Sequence, residues 1–166
     1  MHAADPATIT VAVDRDSVAM GDDVVSHREE WTLPAAATAV DVLLAVFERH
    51  FLARVAGPVG WVMELGERTW VRRTLPDGTE TIAHEGAVRE VLLLHVGTPD
   101  DPTDVRVSVL DGWAVRQPLR EVIPPDGPQV VRFRYCTHAC SRSLGELVEF
   151  GTATGARPTT VRRAED

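Results

Sequence analysis

The sequence predicts an α+β fold in which a mixed sheet packs on one main helix, and three stretches carry that prediction. Ile9, Val11 and Val13 alternate with Thr8, Thr10 and Ala12, the two-residue period of a half-buried strand. Val40, Leu43, Leu44, Phe47 and Phe51 fall on one helical face within the segment Thr32 to Val55. Val91 to Leu94 is continuously apolar, the pattern of a central strand covered on both faces. Neither the helix face nor the strands can bury their apolar side alone, so each requires the other.

In chain order, the first strand gives way to the acidic loop Asp14 to Asp23. Its Asp14, Asp16, Asp22 and Asp23 suggest calcium, but Val18 and Val25 stand where oxygen ligands belong, so a solvated hairpin turn is expected. A second strand follows from Val24 to Leu33, with His27 as an edge residue. Thr38 is placed to cap the helix, Asp41 to return the bond from the third helical position, and Asp41, Glu48 and Arg49 to face outward. Gly57-Pro58 ends the helical pattern and Trp61 to Leu65 reads as a strand. Gly66-Glu67 has the form of a two-residue hairpin loop, which would set Leu65 opposite Arg68, Met63 opposite Trp70 and Trp61 opposite Arg72. Pro76-Asp77-Gly78 marks a turn, and the segment from there to Gly86 reads as a short irregular or edge element. After Val91 to Leu94, the proline-punctuated Thr98 to Thr103 is the best internal boundary.

Two units are therefore expected, residues 8–97 and a C-terminal extension 104–166 packed against them. The extension has strand signals at Val105 to Val109 and Val130 to Tyr135, divided by the turn Pro124 to Gly127. A short helix capped by Ser143 and Glu146 is expected next. Strand, strand, helix is also the order in which the chain begins, so the extension reads either as a degenerate half-repeat or as a chance echo.

The order strand, strand, helix, strand, strand, strand over residues 8–97, with Thr32-Leu33-Pro34 leading into Thr38-Ala39-Val40-Asp41-Val42-Leu43-Leu44, resembles the β-grasp, or ubiquitin-like, superfamily. The resemblance implies a scaffold commonly used for binding proteins. The sulfur carriers and modifiers of that superfamily end in a flexible Gly-Gly, whereas here the last strand meets a lone Gly97, which departs from carrier chemistry.

Composition narrows the function. Of 166 residues, 44% are apolar, enough for a substantial core. All 17 cationic residues are arginine, a bias that fits a GC-rich bacterial genome; without lysine, Schiff-base chemistry and Walker-type phosphate loops are excluded. A formal charge of −8 disfavours nucleic acid and anionic membrane and favours a basic partner. With two cysteines, no secretory leader pattern and no long apolar run, the expectation is a cytoplasmic protein without a membrane span.

Two groups of residues suggest chemistry. Cys136-Thr-His138-Ala-Cys140 offers zinc donors or a thiol nucleophile with His138 as base, but in an extended strand the outer sulfurs would stand roughly 13 Å apart, too far for one ion. Two structural thiols without metal or cofactor are the plainer expectation. Trp61, Trp70 and Arg72 would share a sheet face in the expected hairpin, giving either a cation–π binding surface or a face packed on the helix. The leading expectation is a non-catalytic protein-interaction module, a special case being an acidic immunity or antitoxin protein that covers a basic partner. A small thiol- or zinc-dependent enzyme centred on Cys136 and His138 is the alternative.

Overall fold

A computed structural model describes residues 7–18, 25–55, 59–67, 69–97, 104–124, 128–136, 142–143 and 160–163. It has an α+β fold dominated by one mixed sheet. Six strands form its body: β1 (Thr8–Arg15), β2 (Glu29–Pro34), β3 (Val59–Leu65), β6 (Arg89–Val96), β7 (Val105–Val109) and β8 (Val130–Cys136). Two short strands, β9 (Arg142–Ser143) and β10 (Thr160–Arg163), flank them, giving the order β10-β2-β1-β8-β3-β6-β7-β9. β4 (Thr69–Thr74) and β5 (Glu80–Glu85) pair only with each other as a separate ribbon.

Helix α1 (Ala39–Glu48) lies on one face of the sheet. It starts where expected: the Thr38 hydroxyl accepts from the Asp41 N–H, and the Asp41 carboxylate accepts from the Thr38 N–H at 2.8 Å. Asp41 does not face outward, however. It is buried, with its carboxylate also accepting from the Thr38 hydroxyl at 2.9 Å. The helix is buried over more than one face because the 3-10 turn Ala114–Arg116 and the short α2 (Leu119–Val122) pack beside it. Leu119 N–H donates to the Ala37 carbonyl at 2.8 Å, fixing that cover to the start of α1. Val40, Leu43 and Val46 are fully buried, while Leu44, Phe47 and Phe51 lie partly exposed at the edge of the core.

The two halves of the chain share one sheet. β8 is parallel to β1, with Val13 beside Val131, and antiparallel to β3, with Met63 beside Phe133. β1 and β3 therefore do not pair with each other, and the boundary expected at residues 98–103 does not separate two sheets. Pairing alternation puts Val11, Val13, Trp31, Leu33, Val131, Phe133, Trp61, Met63, Leu92 and Leu94 together in the core under α1. The opposite face carries Arg132, Arg134, Glu64 and Glu90. Arg134 bridges Glu64 and Glu90, both at 2.7 Å, and Arg132 meets Asp16 at 2.6 Å. Glu64 is only 2% exposed.

The expected hairpin between β3 and β4 does not form. Both edges of β3 are already occupied by β6 and β8, so the chain leaves the sheet at Gly66, whose N–H donates to the Val130 carbonyl at 2.8 Å. Trp61 consequently stands beside Leu94 and Tyr135, and Trp70 pairs across the ribbon with His84. The segment 80–85, expected as a short edge element, is a full strand of that ribbon.

The apolar run in β6 contains a local irregularity. Met63 pairs with Leu92 and Glu64 with Glu90, so Val91 is an extra residue in a β-bulge. The bulge breaks strict alternation and lets Val91 and Leu92 both be fully buried, whereas Leu93 is half-buried. On the face away from α1, Val62, the partner of Leu93, and Glu64 are buried as well. Ser143, expected as a helix cap, lies in β9 opposite Arg106; residues 144–150 are outside the described residues.

Gly66 has φ +98°, and a Cβ there would sit 2.2 Å from the Ala87 carbonyl oxygen; Gly78 has φ +83° with open space around it. Gly78→Ala is expected to cost about 1 kcal/mol from backbone strain alone. Gly66→Ala should cost more than about 2 kcal/mol, because the clash is with backbone. Denaturant titration of the two variants separates the terms, and equal losses would contradict the close approach at Gly66. A chain ending at Gly97 lacks β8 and is expected to show no cooperative unfolding transition, a point that thermal denaturation followed by near-UV circular dichroism checks.

Candidate functional site

The residues singled out from sequence are described only in part. Cys136 ends β8 opposite Gly60 as a half-buried free thiol; His138 and Cys140 lie outside the described residues. Among the described residues no three His, Cys, Asp or Glu side chains are grouped to hold a metal ion. Trp61 is fully buried, edge-on to Tyr135 with ring centroids 5.6 Å apart. Arg72 is exposed on the ribbon, 4.0 Å from Glu80. Trp61 and Arg72 thus belong to different sheets and do not face each other as the expected hairpin would have set them, while the side chain of Trp70 lies outside what the structure describes.

A better-defined surface lies at the end of β7, in a loop that the sequence reading passed over. The bulge at Val91 organises it, because the Val91 carbonyl accepts from the N–H groups of both Leu110 and Asp111, at 3.0 and 3.3 Å. Asp111 then acts twice. Its Oδ1 accepts from the N–H groups of Trp113 and Ala114 at 3.1 and 2.9 Å, starting the 3-10 turn, and its Oδ2 accepts from Arg89 at 2.8 Å. The Arg89 guanidinium stands over the Trp113 ring, 5.2 Å from its centroid. Ala114 and Val115 anchor the turn in the core.

The outcome is an indole that is 51% exposed yet held by its backbone and by a stacked arginine, with Leu110 exposed nearby. A large apolar ring left in water while its surroundings are hydrogen-bonded in place has the features of an interaction anchor. The ion pair matters here for geometry, since partly exposed ion pairs contribute little stability. The available signal in the sequence was Asp111-Gly112-Trp113, a turn pair followed by an aromatic residue in a loop after a strand.

The Asp111 carboxyl is held below the usual carboxylate range, chiefly by the hydrogen bond from the Ala114 N–H, which outweighs the opposing effect of burial, and further by Arg89 and the Trp113 N–H. No protein-family model, curated protein or solved structure matches this chain. No helix of the described residues is long and apolar enough to cross a membrane.

Because the folded-state value is lowered, the contribution of Asp111 to stability is complete above the unfolded carboxylate value near 3.9 and is lost as pH falls through the folded value. NMR titration of the Asp111 carboxyl should therefore give a midpoint below 3.9. The Trp113 side-chain signals should move with it, and Asp111→Asn should abolish that coupled movement. A midpoint at or above the ordinary value would rule out the Ala114 and Arg89 bonds as drawn.

Proposed function

We propose that the protein is a non-catalytic, cytoplasmic protein-interaction module and that Trp113 anchors its interface. The observation that supports this reading is the exposed indole fixed between Asp111 and Arg89. Interface cores are enriched in tryptophan and arginine, and an anchor already ordered in the free protein loses less conformational freedom on binding. The net charge of −8 favours a basic partner by steering its approach, which suits an immunity or antitoxin-type inhibitor.

The β-grasp reading of the scaffold is part of the same proposal. Its support is a helix laid across an antiparallel strand pair, β1 and β2, together with a central parallel pair, β1 and β8, that joins them to the remaining strands. The β-grasp closing strand would then be β8, supplied by residues 130–136, in place of the strand before Gly97. For the thiol-enzyme alternative, Cys136 is a half-buried free thiol at the end of β8, and its candidate base, His138, lies outside the described residues.

Immobilised wild-type protein and the Trp113→Ala variant, exposed to cytoplasmic extract at low and high salt, test the proposal. Wild type should retain a defined protein partner, more weakly at high salt, and Trp113→Ala should weaken retention by about tenfold or more, as loss of an anchor does. The variant should unfold within about 0.5 kcal/mol of wild type, because the ring is a surface group. Equal retention by both proteins removes Trp113 from the interface, and turnover that depends on Cys136 would favour the enzyme alternative.

A further inference from the structure

We infer that the cleft at the C-terminal end of α1 is a binding site for a small organic anion, a ligand class separate from the protein partner of Trp113. The cleft, of about 200 Å³, is lined by Arg15, His27, Glu29, Arg49, His50 and Phe51. Three parts of the fold meet there. Arg15 ends β1, and continuing the antiparallel register that sets Val13 beside Glu29 brings His27 level with it. Arg49, His50 and Phe51 follow the last turn of α1.

Phe51 is the one apolar residue of the lining, and buried aromatic rings hold it from behind. Phe51 packs edge-on against Trp31 at 5.6 Å and Phe133 at 6.5 Å between ring centroids. Trp31 donates its indole N–H to Glu29 at 2.8 Å and carries Arg49 over its ring at 5.3 Å. Stacking leaves the guanidinium edge, with its forked donors, free to meet planar or tetrahedral anionic oxygens. Arg49 bonds to no carboxylate among the described residues, in contrast with Arg28, Arg73, Arg89, Arg132 and Arg134, each of which meets one at 2.9 Å or less.

The helix end shows a second feature of the same place. The N–H groups of His50 and Phe51 donate back to the carbonyls of Phe47 and Val46, at 3.1 and 3.0 Å, which is a Schellman ending. Such an ending places one residue at positive φ, and glycine is the usual choice. Here it is His50, at φ 53°, the only non-glycine residue at positive φ among the described residues. A strained position filled by a side chain that can donate to or accept from a ligand, and that lines the cleft, is the kind of compromise found at functional sites.

Arg49 supplies the donors, with Arg15, His27 and His50 around it in the lining, so the recognised group is anionic. Glu29 sets a further requirement. A bare anion close to its carboxylate is repelled, whereas a ligand that turns a hydroxyl or ammonium donor toward Glu29 gains a hydrogen bond. A cleft of this size suits a small molecule with a short carbon body. The shared chemistry is an anionic oxygen cluster on a small hydroxylated body, and either a phosphate or a carboxylate provides it.

Glycerol phosphate and glycerate, as probes with hydroxylated bodies and different anionic groups, distinguish the two. Titration of the full chain by calorimetry, at constant ionic strength set with chloride, should give saturable binding of at least one probe. Saturation by only one identifies the anionic group. Arg49→Gln should weaken that binding by about tenfold, the effect of losing charge-assisted hydrogen bonds. His50→Gly should also weaken it while raising the unfolding midpoint, since glycine relieves the positive-φ strain without upsetting the helix end. No saturable binding of either probe would overturn the inference, as would unchanged binding in Arg49→Gln. If Arg49→Gln fails to fold, unchanged binding in His50→Gly overturns it equally.

Discussion

The parallel pairing of β1 with β8 is the contact on which the rest of the sheet depends. Without it, β1 and β8 would each present an open row of amide and carbonyl groups over a core that includes Val131 and Phe133. Asp16 reinforces the join at one end, accepting from the Tyr135 N–H at 3.0 Å and from Arg132, while its own N–H donates to the Phe133 carbonyl. Arg132 and Asp16 are 116 residues apart in sequence. Closing a flexible loop of that length costs roughly 4 kcal/mol plus a constant, a modest penalty beside two full ladders and a buried central strand. The same long separation makes this pairing an inherently slow folding event.

Local features of the fold were legible in the sequence, and long-range ones were not. The Thr38 and Asp41 capping box depends on residues three apart, so the pattern that predicts it is also the structure that forms. β1, β2 and β7 likewise carry their own alternation. By contrast, Gly66-Glu67 has good hairpin chemistry, and nothing nearby reveals that both edges of β3 will be taken by β6 and β8. The Val91 run shows a similar ambiguity, since a bulge and a doubly covered strand leave the same apolar signature. Residues 104–136 read as an extension because a proline-rich segment precedes them, yet pairing across a sheet ignores such breaks. As for function, Trp61 was selected for its size, which is what places it in the core. Trp113 and the Arg49 cleft rely on partners far away in sequence, Arg89 for the one and Trp31 with Glu29 for the other.

Both surface features use the same arrangement. An arginine lies over an indole, and a carboxylate fixes the geometry by bonding to the arginine at Trp113 and to the indole N–H at Trp31. The difference decides what each exposes. At Trp113 the arginine is tied down and the ring remains accessible, which favours an apolar contact. At Trp31 the ring is buried and the arginine keeps its donors, which favours an anion. In a chain whose cations are all arginine, placing the carboxylate on one member of the pair or the other is enough to change the type of surface.

The ribbon of β4 and β5 leaves the sheet at Gly66 and returns beside Ala87, so its two ends are in contact while its body stands clear of the core. Leu65 and Arg89 remain paired partners in the main sheet on either side of it. The ribbon is thus spliced into what would otherwise be a single turn between β3 and β6. Its length and composition are uncoupled from the register of the strands that carry it. Variation accumulating in residues 67–86, including insertion or loss of whole residue pairs, can reshape the exterior of the molecule while the core keeps its present packing.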